Sequence, residues 1–157
     1  MIVVSDTTAI TNLMAIRQIE LLQLLYREVY IPDAVFAELR VKHPAIPDFI
    51  RQRSVADEAS ARRLISDSID EGEAEAIILA EELKADYLLI DEIAGRDVAR
   101  QRGLRVTGLL GVLLRAKEDK FLAEIRPLLD ELSHEAGFWF SADLRHQILR
   151  EAGELSE

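Results

Sequence analysis

The chain of 157 residues contains no cysteine, so it has neither a disulfide framework nor a thiolate metal site. Its three histidines, His43, His134 and His146, are scattered and form no zinc-ligand spacing. A metal ion must therefore be held by oxygen donors, which selects Mg²⁺ or Mn²⁺. Positive charge is short as well: 19 Lys and Arg stand against 29 Asp and Glu, a formal net charge of -10. That argues against the broad basic surface that grips duplex DNA through many phosphates. Nucleic acid as such stays open, because an acidic site that captures divalent cations can approach phosphates when local arginines or a partner supply positive field. No apolar run approaches the roughly 18 residues of a membrane span. The opening "MIVVSD" has no basic leader segment and meets an aspartate at position 6. The expectation is a cytoplasmic protein without a membrane partner.

What is present is a core. With 49% hydrophobic residues, the chain suits one domain over residues 1–157. "MIVVS" reads as a short apolar strand, and "DTTAITNLMAI" then takes helical spacing, with Ser5, Asp6 and Thr7 as capping candidates. "QIELLQLLY" is a second amphipathic helix, "EVYI" a second strand, and Pro32 opens the helix "PDAVFAELR". Between "VKHPAIPDF" and "SVADEAS", Pro44 and Pro47 break any long element, and the expectation is a loop with a short helix. "EASARRLIS" and "GEAEAIILAEELKA" read as helices, the second with Asp70 as its N-cap candidate, "DYLLI" as a buried strand, "IAGRDVARQRG" as a helix closed by Gly103, and "LRVTG" as a further strand. From about residue 109 the chain is expected to be helical, with Ser141 capping the last helix. "GFWF", which holds the only tryptophan, is expected as a buried hinge between helices; the alternative is an aromatic patch for a partner protein.

Alternating strands and helices imply a parallel sheet covered by helices on both faces. Ligands in such folds gather outside the carboxyl ends of the strands, and Asp6 and Asp91 each follow a buried strand. Glu38 in "PDAVFAEL" and the pair Glu73 and Glu75 in "GEAEA" complete an acidic constellation. Taken singly, each acid has a local explanation as a helix cap, a dipole partner or a solvated residue. Taken together, carboxylates brought to one edge repel by roughly 1 to 4 kcal/mol per pair at about 4 Å. A divalent cation removes that cost and supplies the chemistry of phosphodiester hydrolysis.

These residues carry a resemblance. "VVSDTTAITNL", "YIPDAVFAEL", "EGEAEAIILAEELKADYLLIDE", "GLRVTGLLGVLLRAKEDK" and "LLDELSHEAGFWFSADLRHQILREAGE" together look like a PIN-domain protein, of the prokaryotic PIN-like group often encoded beside a small antitoxin-like partner. The resemblance implies a three-layer α/β/α fold around a mostly parallel sheet, and an acidic cluster that binds Mg²⁺ or Mn²⁺ and cleaves RNA, usually in a homodimer. Asp6 matches the acid after the first strand, Glu38 that of the "PxxVxxE" helix, Asp91 that after the fourth strand, and "GEAEA" supplies the remaining position. The family's further acid would fall near Ile93, where this sequence departs, and one or two ions are compatible with what remains.

Residues two apart on a regular helix point about 200° from each other, so Glu73 and Glu75 cannot both face one site unless the first turn is irregular. Both remain candidates: the spacing from Glu75 to Asp91 fits the toxin-ribonuclease pattern better, which makes Glu75 the expected metal ligand beside Asp6, Glu38 and Asp91, whereas Glu73 lies closer to the helix start, where a bend towards the cleft is easier. Glu92 and Asp97 are outer candidates. Thr7 and Thr8 either orient a ligand or cap the helix locally. Arg96 and Arg100, four apart, either contact phosphates or lie on a solvated face, as Arg102 and Arg105 do. Two other readings stand beside the ribonuclease: a binding module without catalysis, and phosphotransfer through Asp6. Against the latter, "SDTTA" has Thr8 where a second acid is required, and "RVTG" lacks a lysine.

Overall fold

The computed structural model describes residues 1–155. In chain order its elements are β1 (Val3–Ser5), α1 (Thr7–Ala15), α2 (Glu20–Tyr26), β2 (Val29–Ile31), α3 (Asp33–Lys42), β3 (Ile50–Gln52) and α4 (Glu58–Leu64). They continue with α5 (Glu71–Glu82), β4 (Tyr87–Leu89), α6 (Ile93–Gln101), β5 (Val106–Thr107), α7 (Leu109–Glu118), α8 (Arg126–His134) and α9 (Ala142–Glu151). The five strands form one all-parallel sheet in the order β3-β2-β1-β4-β5, with Val3 opposite both Val29 and Tyr87.

The pleat sends successive side chains to opposite faces, and each face has its own core. Val3, Val29, Ile31 and Leu89 pack with apolar residues of α1, α2, α3, α7, α8 and α9. Val4, Leu88 and Ile90 pack with residues of α4, α5 and α6. The result is a three-layer α/β/α fold, in which a strand buried on both faces reads as a continuous apolar run such as "VVS". Helix α5 lies between the sheet and α4, with α3 and α6 alongside, which is why Ala74 and Ala76 through Ala80 are all buried. Gly103, at φ +82°, ends α6 as expected.

Two expectations are corrected. The segment between α3 and α4 contains no helix; it contributes the edge strand β3, paired through Val29↔Ile50 and Ile31↔Gln52. Only Ile50 of β3 is buried, so the segment has no period to announce it, and backbone pairing with β2 decides its conformation. The second correction concerns "GFWF". Phe138 and Phe140 pack against the core with ring centroids 6.1 Å apart, but Trp139 between them is 83% exposed. Neighbouring side chains of a non-helical segment point opposite ways, so seating the two phenylalanines turns the indole outward.

The chain runs outward from β1 to β2 and β3, then returns to β4 on the other side of β1. The sheet's switch point therefore lies between β1 and β4, whose carboxyl ends lead into Asp6 and Asp91.

Candidate active site

Asp6 follows β1 directly; its N–H continues the sheet to the Leu89 carbonyl at 3.0 Å. It is the N-cap of α1, and its Oδ1 accepts from the Ala9 N–H at 3.3 Å. The residue is only 2% exposed. Local capping and placement at the switch point are thus properties of the same side chain. Beside it opens a small cleft of about 90 Å³ lined by Asp6, Thr7, Thr8, Glu38, Asp70, Glu73 and Glu92.

The first turn of α5 separates the two glutamates. Asp70 and Glu73 form a capping box: the Asp70 Oδ1 accepts from the Glu73 N–H at 2.8 Å, and the Glu73 Oε1 accepts from the Asp70 N–H at 3.2 Å. That turns Glu73 toward the cleft, 7% exposed, with Oε2 buried and lacking a hydrogen-bond partner. Glu75 faces away. Its Oε1 accepts from the Ala34 N–H at 3.1 Å, in the first turn of α3, and it lines a separate cavity with Asp33, Glu58 and Glu71. The turn is regular, so the two side chains diverge, and the structure brings Glu73 beside Asp6 instead of Glu75, the expected metal ligand. Glu38 reaches the cleft from α3 because Gly72 leaves room: a Cβ there would stand 2.8 Å from the Glu38 Oε1.

Asp91 does not cap the helix that follows it. Its Oδ1 accepts from the Leu109 N–H at 3.0 Å, capping α7 instead, while Oδ2 is buried without a partner. A Cβ on Gly108 would collide with this carboxylate, so the glycine is what lets α7 begin against it. Arg96 sits beside Asp91 and donates to the Ile90 carbonyl at 3.2 Å. Arg100 lies elsewhere, on an exposed face near Asp97. Thr7 lines the cleft with its Oγ1 buried and unpartnered. Asp70, legible from sequence only as an N-cap, also lines the cleft, as does Glu92.

Burial is the main force on these carboxyls. It raises Asp6 well above the usual carboxylate range, and the nearby charges of Asp91, Glu73 and Asp70 raise it further against the Ala9 N–H. Burial likewise pushes Glu73 from its ordinary 4.5 up to about 7, with Asp70 and Glu92 adding to the effect. Asp91 is raised by burial and Glu92, against the Leu109 N–H and Arg96. Glu75 is raised too, by burial first and then by Glu71 and Asp33.

For Glu73 the folded state binds more protons than the unfolded chain between 4.5 and about 7. Metal-free stability must therefore fall as pH rises through that window, by about 1 to 3 kcal/mol. Melting curves in EDTA across this range should show the decline, and saturating Mg²⁺ should flatten it. A metal-free melting temperature that rises over the same interval would show that the cleft carries no such strain.

An oxygen-only donor set with buried, unpartnered Glu73 Oε2 and Asp91 Oδ2 suits a hard divalent cation. As the side chains stand, no three carboxylate or imidazole groups among the described residues converge closely enough to hold one ion. The cleft lines such a site without closing it.

Among known families, the model of the PIN domain matches residues 2–154. No curated protein matches the chain.

Proposed function

The chain belongs to the PIN-domain family, whose members are generally metal-dependent nucleases, and on that premise we propose that it is an endoribonuclease hydrolysing RNA phosphodiester bonds. The observation that carries the proposal is the meeting of Asp6, Glu38 and Glu73 in one cleft at the switch point of the sheet, with Asp91 on its flank. Buried carboxylates that repel one another and leave oxygens unpartnered are costly to keep unless a cation joins them.

Asp6, Glu38, Glu73 and Asp91 are the residues that would hold Mg²⁺ or Mn²⁺. Bound there, such an ion polarises a phosphoryl oxygen and lowers the pKa of water. Asp6 and Asp91 are held by the caps they form on α1 and α7, so each offers its carboxylate from a fixed position. The Thr7 hydroxyl is free to orient a phosphate or a water. Arg96, anchored on the Ile90 carbonyl, places positive charge beside Asp91 and near the incoming phosphate. Glu75 is assigned a structural role at the start of α3.

In this reading residues 1–157 form one PIN domain in the cytoplasm. Its partners are RNA, a second copy of the chain and a small antitoxin-like protein.

Among the described residues no helix is long and apolar enough to cross a membrane.

Purified protein should cut single-stranded RNA in Mg²⁺ or Mn²⁺, stop in EDTA, and lose cleavage on Glu38→Gln. The last substitution matters because Glu38 is exposed and dispensable for packing, so activity that survives it would detach α3 from the reaction. A second reading, a PIN module that binds without cutting, is favoured by the absence of three converged ligands among the described residues. It predicts no turnover in either metal at any stage of purification.

A further inference from the structure

Beside the acidic cleft lies a cavity of about 930 Å³. Thr8 and Glu92 line both, and Asp91 and Arg96 form the cavity's near wall, so any group held in it lies next to the proposed reaction centre. Phe138 and Trp139 line it as well, with the neutral hydrogen-bonding side chains of Asn12, Thr107 and Gln147 and apolar residues that include Leu110 and Leu144.

The charges that line it decide what fits. Asp91, Glu92 and Glu151 repel a phosphate chain, with Arg96 alone in opposition. A flat, neutral group is not repelled. It gains an aromatic face from Trp139, which is 83% exposed, and donors and acceptors from the amides and the hydroxyl. The volume lies within the range of sites that enclose small organic ligands. An unpaired nucleobase meets each condition when its own phosphate stays outside the cavity, at the cation that Asp6, Glu38, Glu73 and Asp91 would hold.

Resting on the ribonuclease reading above, we propose that this cavity is a nucleobase subsite: Trp139 stacks on an unpaired base of the strand whose phosphate meets the acidic cleft. A base within a duplex is stacked and paired and cannot enter. Phe138 and Phe140 hold the indole in place by their own burial against the core. Trp139 is thereby a specificity-determining residue and no part of the reacting group.

The chain has a single tryptophan, so its fluorescence reports this cavity alone. The test titrates full-length protein with a single-stranded hexaribonucleotide in Ca²⁺, and in parallel with the same strand made abasic and with its duplex. Quenching by the intact strand only, with cleavage kinetics in Mg²⁺ in which Trp139→Ala raises KM about 5- to 100-fold at little change in kcat, is the expected result. Trp139→Phe should recover most of the loss. Equal quenching by abasic RNA, or cleavage whose KM is indifferent to Trp139→Ala, overturns the subsite while leaving the nuclease intact. Quenching without cleavage leaves the subsite and overturns the nuclease. A Trp139→Ala variant that loses an oligomeric state but keeps its KM shows the face to be a contact between subunits, and also overturns the proposal.

Discussion

Asp6→Asn is expected to melt higher than wild type in EDTA at neutral pH, to lose the rise in melting temperature that Mg²⁺ or Mn²⁺ gives wild type, and to cleave RNA at least about 100-fold more slowly. The stability gain follows from the environment of the carboxylate. Asp6 is 2% exposed, and its charged form is opposed by burial and by Asp91, Glu73 and Asp70. Asparagine keeps an oxygen for the Ala9 N–H and so retains the α1 cap, which Asn and Asp fill about equally well. The substitution removes charge and preserves shape. The same exchange removes an anionic donor from the cation, and the metal-free gain should therefore become a deficit once Mg²⁺ saturates wild type. At about 100 times the dissociation constant a ligand stabilises the folded state by about 2.7 kcal/mol. Thermal melts of both proteins with and without metal, together with a cleavage time course, decide the matter. A variant that melts below wild type in EDTA would mean that the carboxylate is structural. A variant that cuts at the wild-type rate would remove Asp6 from the reaction.

The second large effect separates two glutamates that lie two positions apart in the chain. Glu73→Gln should abolish the metal-induced stabilisation and slow cleavage at least about 100-fold, whereas Glu75→Gln should leave both within about twofold of wild type. Glutamine at position 73 retains the capping box, since its side-chain oxygen accepts the Asp70 N–H as glutamate does. Glutamine at position 75 likewise retains the acceptor for the Ala34 N–H. Neither variant is expected to unfold, so differences in metal response report on the cation site and not on the helix. Paired melting curves with Mn²⁺ and initial rates on one RNA substrate test both at once. The reverse pattern, with Glu75→Gln inactive and Glu73→Gln active, would place the reaction in the cavity bounded by Asp33, Glu58 and Glu71.

The sequence by itself determined the layered α/β/α architecture, because buried parallel strands must be apolar on both faces and "VVS" and "YLL" show this without any partner. It also determined where Asp6 and Asp91 stand, since a carboxylate directly after such a strand has no other place than the carboxyl edge of the sheet. Asp70 was readable as the cap of α5 from its position before "EGEAEA" alone. Other features were settled only by contacts between distant parts of the chain. β3 exists because β2 offers it an edge, and its own residues, with Ile50 alone buried, carry no strand pattern. Trp139 is exposed because the phenylalanines on either side win the places against the core, a competition that composition cannot express. The choice between Glu73 and Glu75 needed the positions of α3 and of β1: helical geometry states that the two diverge, but only packing says which neighbour each one meets. Local spacing sets the direction of a side chain relative to its own element. The tertiary structure sets what lies in that direction, and the chemistry of the cleft depends on the second.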